Sequence, residues 1–294
     1  MDWKSRRIEA ILEQALIEDK ATSDLTTAVT IDPRLRASAT IIAKEECVLS
    51  GLGCIPRFLE IFGRLDGRNS GRYEVVSHPE IFDGVRLRKG QAVAVIRHNA
   101  RVILACERVI LNLMQRMSGI ATLTRRYVDE VEETGAKVLD TRKTIPGLRV
   151  LDKYAVRCGG GENHRLDLSD GILIKNNHIS LGGGIEKVLA SAQQNRKPGQ
   201  TIDIEVRTLE ELEIALDHGA ESLLLDNMTP SEVKKSVARV QERGVDVPIE
   251  ASGGITLENI RKYALAGPDY ISVGALTHSA TAVDLSMRIT AELY

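Results

Sequence analysis

The sequence predicts an α/β protein in two parts, the second built on a parallel sheet. Three observations carry this. From Ala136 onward, six short β-branched runs alternate with helical stretches: "AKVLDT", "GILIKNN", "TIDIEV", "SLLLDN", "VPIEASGG" and "YISVG". Repeated strand-then-helix units imply parallel strands, and six of them imply a barrel or a partly open barrel. A doubly wound sheet is the runner-up, weakened because no GxGxxG follows an early strand. Upstream of residue 100, short alternating apolar runs separated by turn residues imply a mainly antiparallel sheet. Between the two lies "ARVILACERVILNLMQRMSGIATLTRRYVDEVEE", apolar on more than one face and therefore a buried helix, expected to break near Ser118-Gly119.

The elements follow in order. Ile8, Ile11, Leu12, Ala15 and Leu16 fall at helical spacing. "SDLTT" reads as a loop. "ASATIIAKEECVLSG", "YEVVSH" and "GVRLRKGQAVAVIRHN" read as strands, with Lys89-Gly90-Gln91 as a turn. In the second part the intervening helices are "IEKVLASAQQN", "LEELEIALDHG", "SEVKKSVARVQERG" and "TLENIRKYALAG".

Composition narrows the function. The chain of 294 residues is 43% hydrophobic and 27% charged, which excludes a disordered protein. Aromatics at 3% leave little for stacking on bases, and a net charge of -2 gives no overall footprint for nucleic acid. No segment is apolar enough for a signal peptide or a membrane span, so the expected location is the cytoplasm. Cys47, Cys54, Cys106 and Cys158 form no CxxC pair, which argues for reduced thiols and against zinc. Positive charge is instead local. Between Asp140 and Arg165 stand Arg142, Lys143, Arg149, Lys153, Arg157, His164 and Arg165, against Asp140, Asp152 and Glu162.

In a βα barrel the active site lies at the C-terminal ends of the strands. Those ends read Asp140-Thr141-Arg142-Lys143, Lys175-Asn176-Asn177-His178, Glu205, Asp226-Asn227, Glu250-Ala251-Ser252-Gly253-Gly254 and Ser272-Val273-Gly274. Singly, an arginine there is as readily a solvated rim charge, and an acid as readily a helix cap. Their recurrence at nearly every strand end is what points to a site. Ser252-Gly253-Gly254, between a strand and a helix, suits a phosphate, and "SVGALTHSA" repeats the pattern. Glu205 and Asp226, without a His or Cys partner, suit a hard ion such as Mg²⁺. The basic residues then serve as clamps for a multiply charged anion.

"DTRKTIPGLRVLDKYAVRCGGGENHRLDLSDGILIKNNHI", with "IEV", "LLLDNM", "EASGGI", "ISVGALTHS" and the N-terminal "EDKATSDLTT", closely resembles the quinolinate phosphoribosyltransferases over nearly the whole chain. The resemblance implies an N-terminal α/β sandwich plus an open parallel α/β barrel of the type II phosphoribosyltransferase kind. It implies the reaction of quinolinate with 5-phosphoribosyl 1-pyrophosphate to nicotinate mononucleotide, pyrophosphate and CO₂, with Mg²⁺, in NAD synthesis. It also implies a homodimer with a shared active site, with room for higher oligomers. The expected division is a sandwich over 1–113, a barrel over 114–278, and a C-terminal helix over 279–294 packing back on the first domain.

Residue by residue, the resemblance places Arg142, His164, Arg165 and Lys175 around the quinolinate carboxylates, with Arg108 arriving from the partner subunit. Lys143 and Lys175 face the pyrophosphate. Glu205 and Asp226 hold the metal and the ribose side. Ser252, Gly253, Gly254, Ser272 and Gly274 cradle the 5′-phosphate, with His278 nearby. The catalytic set is Lys143, Lys175, Glu205 and Asp226. Arg149 and Lys153 fall to a helix face or subunit contact, Arg157 to solvent, and Cys158 to a structural thiol. Two departures stand out. Asn176 replaces a common Asp, and Asn99 replaces a common Gly, where asparagine's tolerance of positive φ would preserve a turn. The rivals are nicotinate phosphoribosyltransferase, which needs no second carboxylate pocket, and the relative associated with molybdate transport.

Overall fold

The computed structural model describes residues 1–67 and 71–292. In chain order the elements begin with α1 (Arg6–Glu18), α2 (Leu25–Thr30), β1 (Arg36–Ala43), β2 (Cys47–Val48), α3 (Cys54–Asp66), β3 (Glu74–Val76), β4 (Arg86–Leu87), β5 (Ala92–Asn99) and α4 (Ala100–Val131). They continue with β6 (Lys137–Leu139), α5 (Arg149–Cys158), β7 (Ile172–Ile174), α6 (Asn176–Gly182), α7 (Ile185–Asn195), β8 (Ile202–Val206) and α8 (Leu209–Asp217). The last are β9 (Ser222–Asp226), α9 (Pro230–Glu242), β10 (Ile249–Ser252), α10 (Ile260–Ala264), β11 (Tyr270–Ser272), α11 (Ala275–His278) and β12 (Leu285–Ala291).

Two units divide the chain. One takes Met1–Leu123, Ile145–Gly160 and the chain from Ala280; the other takes Thr124–Thr144 and Gly161–Ser279. The boundary therefore falls after Leu123 rather than at 113, and the expected barrel gives up 145–160. Asp152 of α5 explains the second shift. It is fully buried and accepts from Arg116 of α4 at 3.1 and 2.8 Å and from the Ile145 backbone N–H at 3.2 Å. A buried carboxylate needs such partners, so α5 stays with α4. Arg149, Lys153 and Arg157 travel with it, which separates them from the rest of the basic stretch. Arg157 is exposed and lies 5.7 Å over the Tyr154 ring.

The first unit holds an antiparallel sheet in the order β12-β1-β5-β3. Strand β1 alternates strictly, burying Ala37, Ala39, Ile41 and Ala43. Helix α1 packs Ile8, Leu12 and Leu16 toward α3, which buries Phe58, Leu59, Ile61 and Phe62. The C-terminal segment expected as a helix is strand β12, paired with β1 from Ala43↔Leu285 to Ala37↔Ala291. Leu285, Met287 and Ile289 alternate with Ser286, Arg288 and Thr290, a period of two, and the edge of β1 supplies the backbone partners. Residues 293–294 of that expected helix lie outside the described residues.

Two further expectations are corrected here. Helix α4 runs unbroken through Ser118-Gly119. Gly119 is there for closeness, because a Cβ on it would stand 2.1 Å from the Thr281 carbonyl oxygen. Ser118 meanwhile accepts from the Ser50 N–H at 3.0 Å and donates to its carbonyl at 3.2 Å. Asn99 does not adopt positive φ. It ends β5 and caps α4, accepting from the Arg101 N–H at 2.9 Å and donating to the Pro33 carbonyl at 2.6 Å.

His98 of β5 is fully buried, and neither ring nitrogen has a hydrogen-bond partner. Burial, with Arg36 nearby, pushes its pKa down to about 4. The folded protein thus holds this imidazole neutral where the unfolded chain would take a proton. Its contribution to stability is complete above about pH 6.5 and falls as pH drops toward 4, by up to roughly 1.4 kcal/mol per unit. Urea midpoints measured from pH 7 to 4 should show this slope and lose part of it in His98→Leu; an unchanged slope would remove His98 as its source.

The second unit holds all six expected strands in one parallel sheet, ordered β6-β11-β10-β9-β8-β7. The first two strands in sequence, β6 and β7, are its two edges, so the barrel-like sheet is open between them. Ile204, Leu223, Leu225, Ala251 and Ile271 are fully buried in it. Among the described residues no helix is long and apolar enough to cross a membrane.

Candidate active site

Every candidate residue except Arg108 lies in the second unit. Arg108 lies in the first, on α4, lining with Ile11, Arg116 and Pro146 a cleft of about 780 Å³. In the second unit, register aligns the strand ends: Leu139, Ser272, Ser252 and Asp226 stand side by side across β6, β11, β10 and β9. Parallel strands that end in register present their next residues on one rim, which is why the scattered polar residues meet.

An acidic cluster occupies the β8–β9 side. Glu205 is buried, and its carboxylate faces Lys175 Nζ at 4.0 Å, Arg207 at 3.5 Å and the Asn176 backbone N–H at 3.5 Å. Arg207 also reaches Asp226, at 3.3 Å. Lys175 precedes α6, its N–H donating to His178 Nδ1 at 2.8 Å. One guanidinium bridging both acids means that a single cation can meet Glu205 and Asp226 together. Among the described residues no group of three or more His, Cys, Asp or Glu could hold a metal. Glu205 and Asp226 offer carboxylate oxygens alone, the donor chemistry that a hard ion such as Mg²⁺ accepts when water and phosphate supply its other oxygens.

A basic cluster lies opposite. Asp140, fully buried at the end of β6, accepts from the His164 N–H at 2.9 Å and from Asn163 Nδ2 at 2.6 Å. This fixes the loop carrying His164 and Arg165. The Arg165 N–H donates to His164 Nδ1 at 2.7 Å, so the ring proton sits on Nε2, 3.3 Å from Glu250. Glu250 is buried, with Oε1 lacking any hydrogen bond. Burial, then the neighbouring Arg142 charge, lowers the Arg165 pKa. Burial raises that of Asp203 on β8, beside His164, Glu250 and Arg165. Two guanidiniums in one partly buried place form a receptor for an anion with more than one carboxylate.

Glycines shape the third part. Gly253, at φ +93°, gives way to Asn227, since a Cβ on it would stand 2.3 Å from Asn227 Oδ1. Asn227 is itself left-handed, at φ 56°, and its N–H donates to the Ser252 carbonyl at 2.9 Å. Asparagine tolerates this conformation better than most residues, which lets Asn227 turn back beside Gly253. Gly274 leaves room for two functional side chains: a Cβ would lie 2.9 Å from Lys143 Cδ and 3.2 Å from His278 Nε2. Thr277 ties this loop to β6 by donating to the Lys143 carbonyl at 2.9 Å. The helix dipole expected behind Gly253-Gly254 is absent, because α10 begins only at Ile260 and a Thr256–Asn259 turn intervenes.

Sequence reasoning left out Arg207, Asp140, Asn163, Asp203 and Glu250 as working parts. Only Asp140 and Glu250 carried a signal, their place in the strand-end list. Cys158 is held as the thiol by burial, which raises its pKa, as befits a structural residue.

Residues 24–118 match the family described as quinolinate phosphoribosyl transferase, N-terminal domain, and residues 120–288 match its C-terminal domain. The chain belongs to the quinolinate phosphoribosyltransferase family. It is 40% identical over 284 residues to the probable nicotinate-nucleotide pyrophosphorylase [carboxylating] of Bacillus subtilis, covering 97% of this chain and 94% of that one. To the nicotinate-nucleotide pyrophosphorylase [carboxylating] of Mycobacterium leprae it is 41% identical, covering 95% of each. The crystal structure of NadC from Streptococcus pyogenes superposes with a TM-score of 0.90 at 36% identity, over 99% of each chain. Both family domains are thus present, and the barrel-like unit with its acidic and basic clusters lies within the residues matched to the C-terminal domain.

Proposed function

We propose that the chain transfers the phosphoribosyl group of 5-phosphoribosyl 1-pyrophosphate to the ring nitrogen of quinolinate and releases CO₂, giving nicotinate mononucleotide and pyrophosphate for NAD synthesis. The observation that carries this is the pairing, on one strand-end rim, of the Arg142–Arg165 cluster with the Glu205–Asp226 pair. A dicarboxylate and a pyrophosphate together need such a divided site. Arg142 and Arg165 hold the two carboxylates, and His164, oriented by Glu250, borders them. Lys143, stacked over Gly274, and Lys175, beside Glu205, face the pyrophosphate. Ser252, Gly253, Gly254 and Ser272 surround the 5′-phosphate, with His278 close to Gly274.

The pyridine nitrogen displaces pyrophosphate from the ribose C1, forming the N–C bond as the C–O bond breaks through an oxocarbenium-like state. Lys143 and Lys175 stabilise the charge that gathers on the leaving group, so catalysis is positioning and electrostatics. Mg²⁺ held by Glu205 and Asp226 would add a Lewis acid there. The ring nitrogen is now cationic. Its positive charge stabilises the electron pair that the adjacent ring carbon keeps when its bond to the carboxylate breaks and CO₂ leaves, and a proton from solvent then bonds to that carbon.

The test is the protein mixed with quinolinate, phosphoribosyl pyrophosphate and Mg²⁺, followed for nicotinate mononucleotide and CO₂, with nicotinate in a parallel tube. Product from quinolinate alone supports the reading. No product from folded protein would return the molybdate-associated relative to the front. Arg108 completes a second copy's site in a cytoplasmic homodimer on this reading. Mixing inactive Arg108→Ala with inactive Lys175→Ala should then restore about a quarter of the wild-type activity, since half the dimers are mixed and each carries one whole site. A mixture that stays inactive would place Arg108 in its own subunit's site.

A further inference from the structure

We propose that Arg207 is a resident cation of the Glu205–Asp226 pair, which a divalent ion must displace to bind. The inference rests on the reading of that pair as the metal-holding acids. Arg207 follows β8 directly, and the register Val206↔Leu225 sets it beside Asp226 on the neighbouring strand. Its backbone is anchored: the N–H donates to Glu211 at 2.7 Å, and Thr208 caps α8 by accepting from the Glu211 N–H at 3.1 Å. From that fixed point the guanidinium spans Glu205 at 3.5 Å and Asp226 at 3.3 Å.

Glu205 needs such a partner. Its side chain is only 9% exposed, and Lys175 stands further off, at 4.0 Å. An ionised carboxylate so buried is costly without a nearby positive charge. Arg207 supplies it, yet its side chain is 45% exposed, so the head can swing into water without a large desolvation cost. The oxygens it faces are the same ones a metal would use. Guanidinium and divalent ion therefore compete, and the free protein holds the ion weakly. When the ion arrives with a pyrophosphate, Arg207 is released as a positive charge at the rim, beside the anion that displaced it.

The test needs no turnover. Mn²⁺ is titrated into substrate-free protein and the unbound ion read by electron paramagnetic resonance. Arg207→Gln should bind Mn²⁺ about tenfold tighter than wild type, as expected for removing one positive charge a few ångströms from a divalent ion. Asp226→Asn in the Arg207→Gln background should abolish that gain. Equal or weaker binding by Arg207→Gln, with binding still sensitive to Asp226→Asn, would overturn the competition and leave the metal-holding acids standing. Binding insensitive to Asp226→Asn would overturn both. Should Arg207→Gln unfold the chain, Arg207→Lys keeps the charge but breaks the two-pronged bridge, and should tighten binding by the smaller factor of about threefold; no tightening there would overturn the competition.

Discussion

Arg165→Met should lower kcat/KM for quinolinate by about a thousandfold while leaving the melting temperature of the free protein unchanged or slightly higher. The two effects come from one arrangement. Arg165 is half-buried beside Arg142, and burial and that like charge together depress its pKa. Its hydrogen bond to the Gly171 carbonyl, at 3.3 Å, is long. Without a bound anion its burial and its repulsion from Arg142 outweigh the attraction of Asp203 and Asp170, so this guanidinium contributes little to the fold. With a dicarboxylate bound, the same charge becomes a charge-assisted partner. Methionine keeps the aliphatic length and removes only the head. Steady-state kinetics and a thermal melt, with and without quinolinate, decide the matter. A melting temperature several degrees lower with activity intact would make Arg165 a structural residue.

Asp140→Ala should have the largest effect on stability, a loss of about 3 kcal/mol, together with at least a hundredfold loss of kcat/KM. The carboxylate is fully buried and holds both the His164 N–H and the Asn163 amide. Removal takes the acceptor from the half-buried His164 N–H, leaves a cavity where the buried carboxylate stood, and frees the loop that aims His164 and Arg165. Asp140→Asn offers a control. One oxygen still accepts from His164, but the new NH₂ meets another amide, so about 1 kcal/mol should be lost. Urea unfolding of the three proteins should rank them wild type, Asn, Ala. Equal stabilities would show that the loop is held by something else.

The parallel sheet was legible because its central strands are buried on both faces and so read as short, nearly continuous apolar runs: "TIDIEV" and "SLLLDN" became β8 and β9 within a residue or two. The rim followed from the strands, since register carries Asp226, Ser252 and Ser272 into line. What escaped depends on contacts distant in sequence. Nothing near Gly119 announces the Thr281 carbonyl that its missing side chain admits. Asp152 looks like an ordinary helix acid until Arg116 is found beside it. Arg207 carries no mark of its partners in the sequence, because its two acids come from different strands. Leu285–Ala291 is too short and too mixed to declare itself a strand without β1 as partner.

That last pairing has a consequence for how the chain is made. Thr290, 252 positions further along the chain, donates to the Ser38 carbonyl at 3.4 Å. Strand β1 leaves the ribosome before the parallel sheet and lacks one neighbour until β12, beyond that sheet in sequence, has been translated. The first unit is therefore closed by a strand made after the second. During translation it must wait, with an open strand edge, while the parallel sheet is synthesised in between, an exposure that favours aggregation. A stalled or prematurely terminated product ending before Leu285 would keep the entire barrel-like sheet and the rim residues, yet carry that bare edge for good. Completion of the first unit's sheet is thus set at β12, downstream of every rim residue in the sequence.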